Sequence, residues 1–130
     1  MEPSIFTRII RGEIPAHKIY EDDRVIAFLD IHPISEGHTL VVPKKQVSFV
    51  WDLDEEDYAY LMSVARKIAL HLRQKMNVPY VGEQIIGYDV PHAHVHLVPF
   101  STPSEFHFVP DPNAEPNHEA LAAIADLLSL

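Results

Sequence analysis

Apolar residues recur along this chain with two different periods. Ile5, Phe6, Ile9 and Ile10 lie one face apart on a helix, behind a capping Ser4 and ahead of Gly12, which predicts a short helix over residues 5–11. The segments HKIYE (17–21) and RVIAFLD (24–30) predict two strands around the charged turn Asp22-Asp23. The second strand is apolar on both faces, as a central strand is, and its Ile26, Phe28 and Asp30 share one face. A third strand is predicted over His38–Pro43. Residues 53–76 return to the helical period: Leu61, Val64, Ala65, Ile68 and Leu72 mark one face, Asp52 with Glu55 has the capping-box spacing, and Pro79 closes the helix. Tyr80–Ile86 and His92–Phe100 read as the fourth and fifth strands, separated by a turn through Gly87 and Pro91. Residues 101–117 read as a loop and residues 118–129 as a last helix capped by Asn117. The order βββ-α-ββ predicts an α+β fold. Its sheet is five-stranded and mainly antiparallel, with a short N-terminal helix, one long helix and a C-terminal helix packed on one side.

Composition narrows the function classes. At 130 residues the chain fits one domain with a single core. It has no cysteine, which excludes disulfides and thiolate zinc sites and fits a reducing compartment. The start MEPSIFTRII has no basic segment followed by a long apolar run, and no stretch approaches the roughly 20 apolar residues of a membrane span. A cytoplasmic protein without membrane contact is the expectation. A net charge of −9 repels a polyanion, so no nucleic-acid partner is expected, while a small anionic ligand remains compatible with a pocket of local donors.

The chain carries nine histidines, and three fall in the run His92-Ala93-His94-Val95-His96. On a strand these three imidazoles share one face at about 6.7 Å spacing, while Ala93, Val95 and Leu97 face the core. A buried imidazole needs partners for both nitrogens, so three together are costly as mere packing. A solvent-facing strand is the bland alternative. Two chemistries compete for the pattern itself. Histidines at alternate strand positions can share a metal ion, and a neutral imidazole can act as a nucleophile.

The string VPHAHVHLVP matches the signature His-φ-His-φ-His-φ-φ, where φ is apolar. The stretch SIFTRIIRGEIPAHKIYEDDRVIAFLDIHPISEGHTLVVPKK resembles the amino-terminal half of Hint-like proteins almost position for position. On these residues the chain resembles the histidine triad (HIT) superfamily, in its Hint-like and bacterial HIT-like hydrolase branch. The resemblance implies a single HIT domain over 1–130, with its core at 4–100 and a loop and C-terminal helix at 101–130. It implies a nucleotide hydrolase or transferase that acts on nucleoside phosphoramidates or dinucleoside polyphosphates. His94 would attack the α-phosphorus, and a nucleotidyl-histidine would then be hydrolysed. His94 would be activated by donating its other ring N–H to the carbonyl of His96. The His96 side chain would stabilise a phosphate oxygen, and His92 and His38 would form a relay that orients His94. Ile5, Phe6, Ile9, Ile14, Phe28 and Ile31 would surround the base, and Asp30 would accept from the ribose hydroxyls. No cofactor is implied, and a homodimer meeting through the main helix and the fourth strand is.

The chain departs from that pattern at two places. Many Hint-like proteins carry an Asn before the triad and a Gln or Ser nearer to it; here Gln84 is the sole amide of 81–91, and Tyr88 and Asp89 stand near the Gln or Ser position. Some bacterial members bind structural zinc through a Cys-x-x-Cys and a later His, where this chain has Ser4, Thr7 and Gln46. No metal site is expected there. Lys44-Lys45 reads as a solvated turn, and His17, His71, His107 and His118 as isolated surface or structural residues. A nucleotide-binding or scaffold protein with little turnover is the rival reading, and a metalloenzyme on the histidine strand is the third.

Overall fold

The computed structural model describes residues 2–130, so Met1 of the expected domain lies outside it. Five strands form one sheet in the order β1-β2-β3-β5-β4: β1 (Lys18–Glu21), β2 (Val25–Leu29), β3 (Thr39–Pro43), β4 (Tyr80–Gln84) and β5 (Val95–Phe100). Every pairing is antiparallel. The α+β sheet architecture is the expected one. β2 and β3 are buried at every position, which is why RVIAFLD shows no alternation. Asp22 closes the β1–β2 turn by accepting the N–H groups of Arg24 and Val25 at 2.7 and 2.8 Å.

The helices do not all lie on one side, as the strand and helix order had suggested. Alternate residues of the sheet split two apolar clusters. Val25, Ala27 and Leu29 pack with Leu61, Ile68 and Leu72 of α2 (Glu55–Lys75) and with Leu121 and Leu128 of α4 (His118–Leu128). Ile26, Phe28, Leu40 and Val42 pack instead with Phe6 and Ile9 of α1 (Ile5–Ile10), on the opposite face. The short α1 was too small to register as a second layer in the element order.

Local chemistry explains the boundaries. Ser4 caps α1, its side chain accepting from the Thr7 N–H at 3.0 Å. The cap of α2 is Asp54, accepting from the Asp57 N–H at 2.8 Å, because residues 50–52 form a separate 3-10 turn that displaces Asp52. α2 ends at Lys75, where Asn77 adopts φ 53°, before Pro79 is reached. Within the expected loop 101–117 lies a further short helix, α3 (Pro103–Phe106). Its Thr102-Pro103-Ser104-Glu105 start has the capping-box spacing, and Glu105 accepts the N–H groups of Ser101 and Thr102 at 2.7 and 2.8 Å. α3 lays Phe106 on Gly82 of β4, so closely that a Cβ there would collide with the ring.

Candidate active site

The strand β5 begins at Val95, three residues later than the sequence pattern suggests. His92 and His94 sit on a lead-in ahead of the strand, where the Ala93 N–H donates to the Val47 carbonyl at 2.7 Å. The alternation persists through it. Ala93, Val95 and Leu97 enter the α2 core, while the rings of His92 and His94 meet Phe6 edge-on at 5.8 and 5.0 Å between centroids. His94 and His96 are 5.0 Å apart by the same measure.

Each imidazole is held in one tautomer by a neighbour that can only accept or only donate. His92 Nε2 bonds to the Pro43 carbonyl at 2.7 Å, so its hydrogen is on Nε2, and its Nδ1 accepts from Ser4 Oγ at 2.7 Å. His94 Nδ1 bonds to the His92 carbonyl at 2.7 Å, which leaves the lone pair on Nε2. The acceptor is therefore the carbonyl of His92, not that of His96. The Ile34 N–H donates to His38 Nδ1 at 3.0 Å, so His38 donates through Nε2 to His96 Nδ1, also at 3.0 Å. His96 then carries its hydrogen on Nε2, as a donor. The relay thus has two branches: His92 fixes His94 through its backbone, and His38 fixes His96.

Burial favours the neutral forms of His38, His96 and His92. Burial pushes His38 down to about 4, and His96 to about 4 by burial and then by His38 and His94. Burial also lowers His92 and raises Asp30. Asp30 Oδ2 lies 3.7 Å from His38 Nε2, and with His38 held neutral by burial the contact is a polar one, not an ion pair. The Asp30 carboxylate accepts the His32 N–H at 2.9 Å.

Two cavities meet at this face. An apolar slot of about 230 Å³ is lined by all six residues expected around a base, namely Ile5, Phe6, Ile9, Ile14, Phe28 and Ile31, together with Asp30 and Asp89. A polar pocket of about 170 Å³ is lined by His38, His96, Gln84 and Tyr88 and again by Asp30 and Asp89. Pro110 of the tail also lines it, and His32 Nε2 reaches the Ala114 carbonyl at 3.0 Å, so residues 110–114 fold back over this end. A larger cavity, about 550 Å³, opens beside Met76, Phe100 and Phe108; it holds no histidine and no arrangement resembling the triad.

Sequence reasoning gave no place in the site to Asp89 or to Ser4, Thr7 and Gln46. Asp89 places Oδ1 3.4 Å from His94 Nε2. It was visible as an acid standing near the family's Gln or Ser, but nothing in the string gives that distance. Ser4, Thr7 and Gln46 form a hydrogen-bonded chain against His92, with Thr7 Oγ1 donating to Gln46 Oε1 at 2.6 Å and the Ser4 N–H donating to the same oxygen at 2.9 Å. His17 and His118 are not isolated either: Nε2 and Nδ1 pair at 2.9 Å, and His71 Nε2 bonds to the Leu128 carbonyl at 2.9 Å. Lys44 and Lys45 pair with Glu21 and Asp57 at 2.8 and 3.5 Å, and neither lysine lines the two cavities at the histidine face.

A cation is a second possible use of the site. Asp30, His38 and His96, and separately Asp89, His94 and His96, each bring one donor atom per residue within 4.8 Å of the others. In the first group an ion would have to replace the N–H···N bond between His38 and His96. In the second it would compete with any electrophile for His94 Nε2.

Comparison with known proteins agrees with this fold. The HIT domain family matches residues 11–102. An uncharacterised HIT-like protein of Borreliella burgdorferi is 38% identical over 106 residues, covering 76% of each chain. The adenosine 5'-monophosphoramidase HNT1 of Saccharomyces cerevisiae is 36% identical over 96 residues, 73% of this chain and 61% of that one. A crystal structure of a HIT-like protein involved in cell-cycle regulation from Bartonella henselae superposes with a TM-score of 0.82 at 31% identity, covering 96% of this chain and 93% of the other.

Proposed function

The chain belongs to the histidine triad (HIT) domain family, and from that premise we propose that it is a nucleotide hydrolase or transferase working through His94. The observation that carries this reading is the state of one ring. His94 is 1% exposed, its Nδ1 is pinned to the His92 carbonyl, and its Nε2 is a buried nitrogen without a hydrogen-bond partner. Buried polar atoms are seldom left unpaired unless they have work to do. That lone pair lies 3.4 Å from Oδ1 of Asp89, a residue that lines both cavities, and a nucleotide with its base in the apolar slot would bring its phosphorus to this end. Neutral His94 attacks the α-phosphorus, and water releases the nucleoside monophosphate from the nucleotidyl-histidine. The Nε2–H of His96 meets a non-bridging oxygen as charge develops there. Asp30 accepts from the ribose hydroxyls. The yeast relative's phosphoramidase activity supports adenosine 5'-phosphoramidates as first substrates to test.

His94→Ala should lower kcat/KM on adenosine 5'-monophosphoramidate by at least about 1,000-fold while leaving the fold intact. Turnover equal to the parent protein's would end the nucleophile assignment. Quenched reactions should also yield a nucleotidyl adduct that maps to the peptide bearing His94.

The rival reading, a nucleotide-binding protein with little turnover, draws on Gln84 being the sole amide that lines the polar pocket. Binding of a nucleoside monophosphate without hydrolysis of any phosphoramidate or polyphosphate would favour it. A homodimer through α2 and β4 is part of the proposal, supported by β4 being a sheet edge with Tyr80 exposed. Light scattering at the monomer mass would remove it.

A further inference from the structure

The cavity of about 550 Å³ beside Met76 and Phe100 takes no part in the chemistry of His94, yet its size falls within the roughly 300–1,000 Å³ of small-molecule sites. Its walls are of two kinds. Met76, Phe100 and Phe108 supply apolar and aromatic surface, and Glu36 and Glu105 supply carboxylates. Among the described residues that line it, none is Lys, Arg or His. Phe100 is held in place, stacked on Tyr80 at 5.2 Å between centroids and tilted against Phe106 at 5.2 Å. Phe108 is 56% exposed, so one ring of the wall is left to water. Glu105 spends one carboxylate oxygen on the Ser101 and Thr102 N–H groups, at 2.7 and 2.8 Å, which leaves Oε2 for another donor. The same bonds hold its carboxyl below the ordinary value, so the negative charge persists. Aromatic faces and carboxylates without a fixed cation attract the same partner, an ammonium group. The net charge of −9 adds a field of the same sign.

One wall is shared with the histidine face. Ile34 lines this cavity and the polar pocket alike, and its N–H is the donor that makes His38 Nδ1 an acceptor. Glu36 lies on the same loop, just ahead of His38. Phe108 stands two residues before Pro110, which lines the polar pocket. A molecule seated against Ile34, Glu36 and Phe108 therefore touches two segments that also border that pocket. We propose that this cavity is a second binding site, for an organic ammonium ion with an apolar body, and that its occupant is read at His38 through Ile34. The carboxylates of Glu36 and Glu105 take the ammonium, and the apolar body lies against Phe100, Phe108 and Met76. Seating it moves the loop from Ile34 to Glu36, and with it the N–H that holds the His38 tautomer. The coupling needs no reaction, so it stands apart from the assignment of His94 as nucleophile.

The probe is phenethylammonium, with phenethyl alcohol as its uncharged counterpart, added to the full chain at neutral pH and low salt. Calorimetry should find the ammonium bound at least about tenfold more tightly than the alcohol. Glu36→Gln and Phe108→Ala, both outside the histidine face, should each weaken it by about threefold or more. In nitrogen NMR spectra the backbone signal of Ile34 and the ring signals of His38 should shift as the probe is added, and shift less in Phe108→Ala at the same concentration. His94→Ala should bind the probe as the parent protein does, whatever its turnover. Equal binding of ammonium and alcohol, or parental affinity in both variants, overturns the site. Shifts centred on His94 and His96 that survive both substitutions would put the probe in the polar pocket beside Asp30 and Asp89, and overturn it as well. Binding that leaves the His38 ring signals unmoved overturns the coupling.

Discussion

Ala93, Val95 and Leu97 pack under α2 against an apolar cluster that includes Leu61, Ile68 and Leu72. One residue along in each case, His92, His94 and His96 turn to the α1 side and meet Ser4, Phe6 and His38. The same short piece of backbone serves both. On the first side nothing needs a partner, and stability is spread over many small contacts, each buried aliphatic side chain contributing about 2 kcal/mol. On the second side almost every nitrogen is spoken for, and the energy lies in directed bonds with a fixed sense of donation. The difference teaches where this protein concentrates its specificity. A dry layer under α2 holds the strand in place, so that the histidine layer can leave His94 Nε2 unpaired.

The largest effect on that comparison should come from opening the dry layer. Ile68 is fully buried in the α2 cluster. Ile68→Ala should cost about 2–5 kcal/mol of unfolding free energy, read from urea midpoints. Activity per folded molecule should stay within about twofold of the parent's, because no bond of the histidine layer passes through Ile68. A larger fall in the specific activity of the folded protein would show that the two layers are one unit.

The dry layer was also the more legible one. Leu61, Val64, Ala65, Ile68 and Leu72 show helical spacing in the string, and these five are the residues α2 buries. Period two likewise sorted Ala93 from His94. What the string lacked was distance. The polar layer depends on backbone carbonyls of Pro43 and His92, and every residue has a carbonyl, so no letter marks the one that a ring will find. The wrong acceptor for His94 follows from this, since the carbonyls of His92 and His96 are equally two residues away. The pair His17 and His118 joins positions 101 apart and was invisible for a related reason. The α3 start could have been found, since Thr102-Pro103-Ser104-Glu105 carries both the cap spacing and a proline at the first helical position.

A smaller effect, and a sharper one, separates the layers by pH. The buried residues of the dry layer are all aliphatic and do not titrate, whereas His38 and His96 are held at about 4 against an ordinary 6.5. A base whose folded pKa is depressed contributes stability that is complete above the unfolded value and is lost as pH falls through the folded one. The window therefore runs from about 6.5 down to about 4. Asp30, raised by the same burial, acts in the opposite sense, since its protonated form is the one the fold prefers. It offsets part of the loss at the lower end of the window. Asp22, held at about 2 against its burial by the hydroxyls of Tyr20 and Tyr60 and by two backbone N–H groups, stabilises fully above its ordinary 3.8 and loses that contribution only below it, outside this window. The upper part of the window thus belongs to histidine, with His92 and His17, both lowered by burial, acting in the same direction as His38 and His96. Unfolding in urea at about pH 7.5 and about pH 5 should differ by on the order of 1–3 kcal/mol, the acid side being weaker. In His38→Gln the difference should shrink, because one buried base is gone and His96 loses the neighbour that helps depress it. Ile68→Ala should lower both values and leave the difference unchanged. A parent protein equally stable at the two pH values would mean that these imidazoles are not held neutral by burial, and the tautomer chain that fixes His96 as a donor would lose its basis.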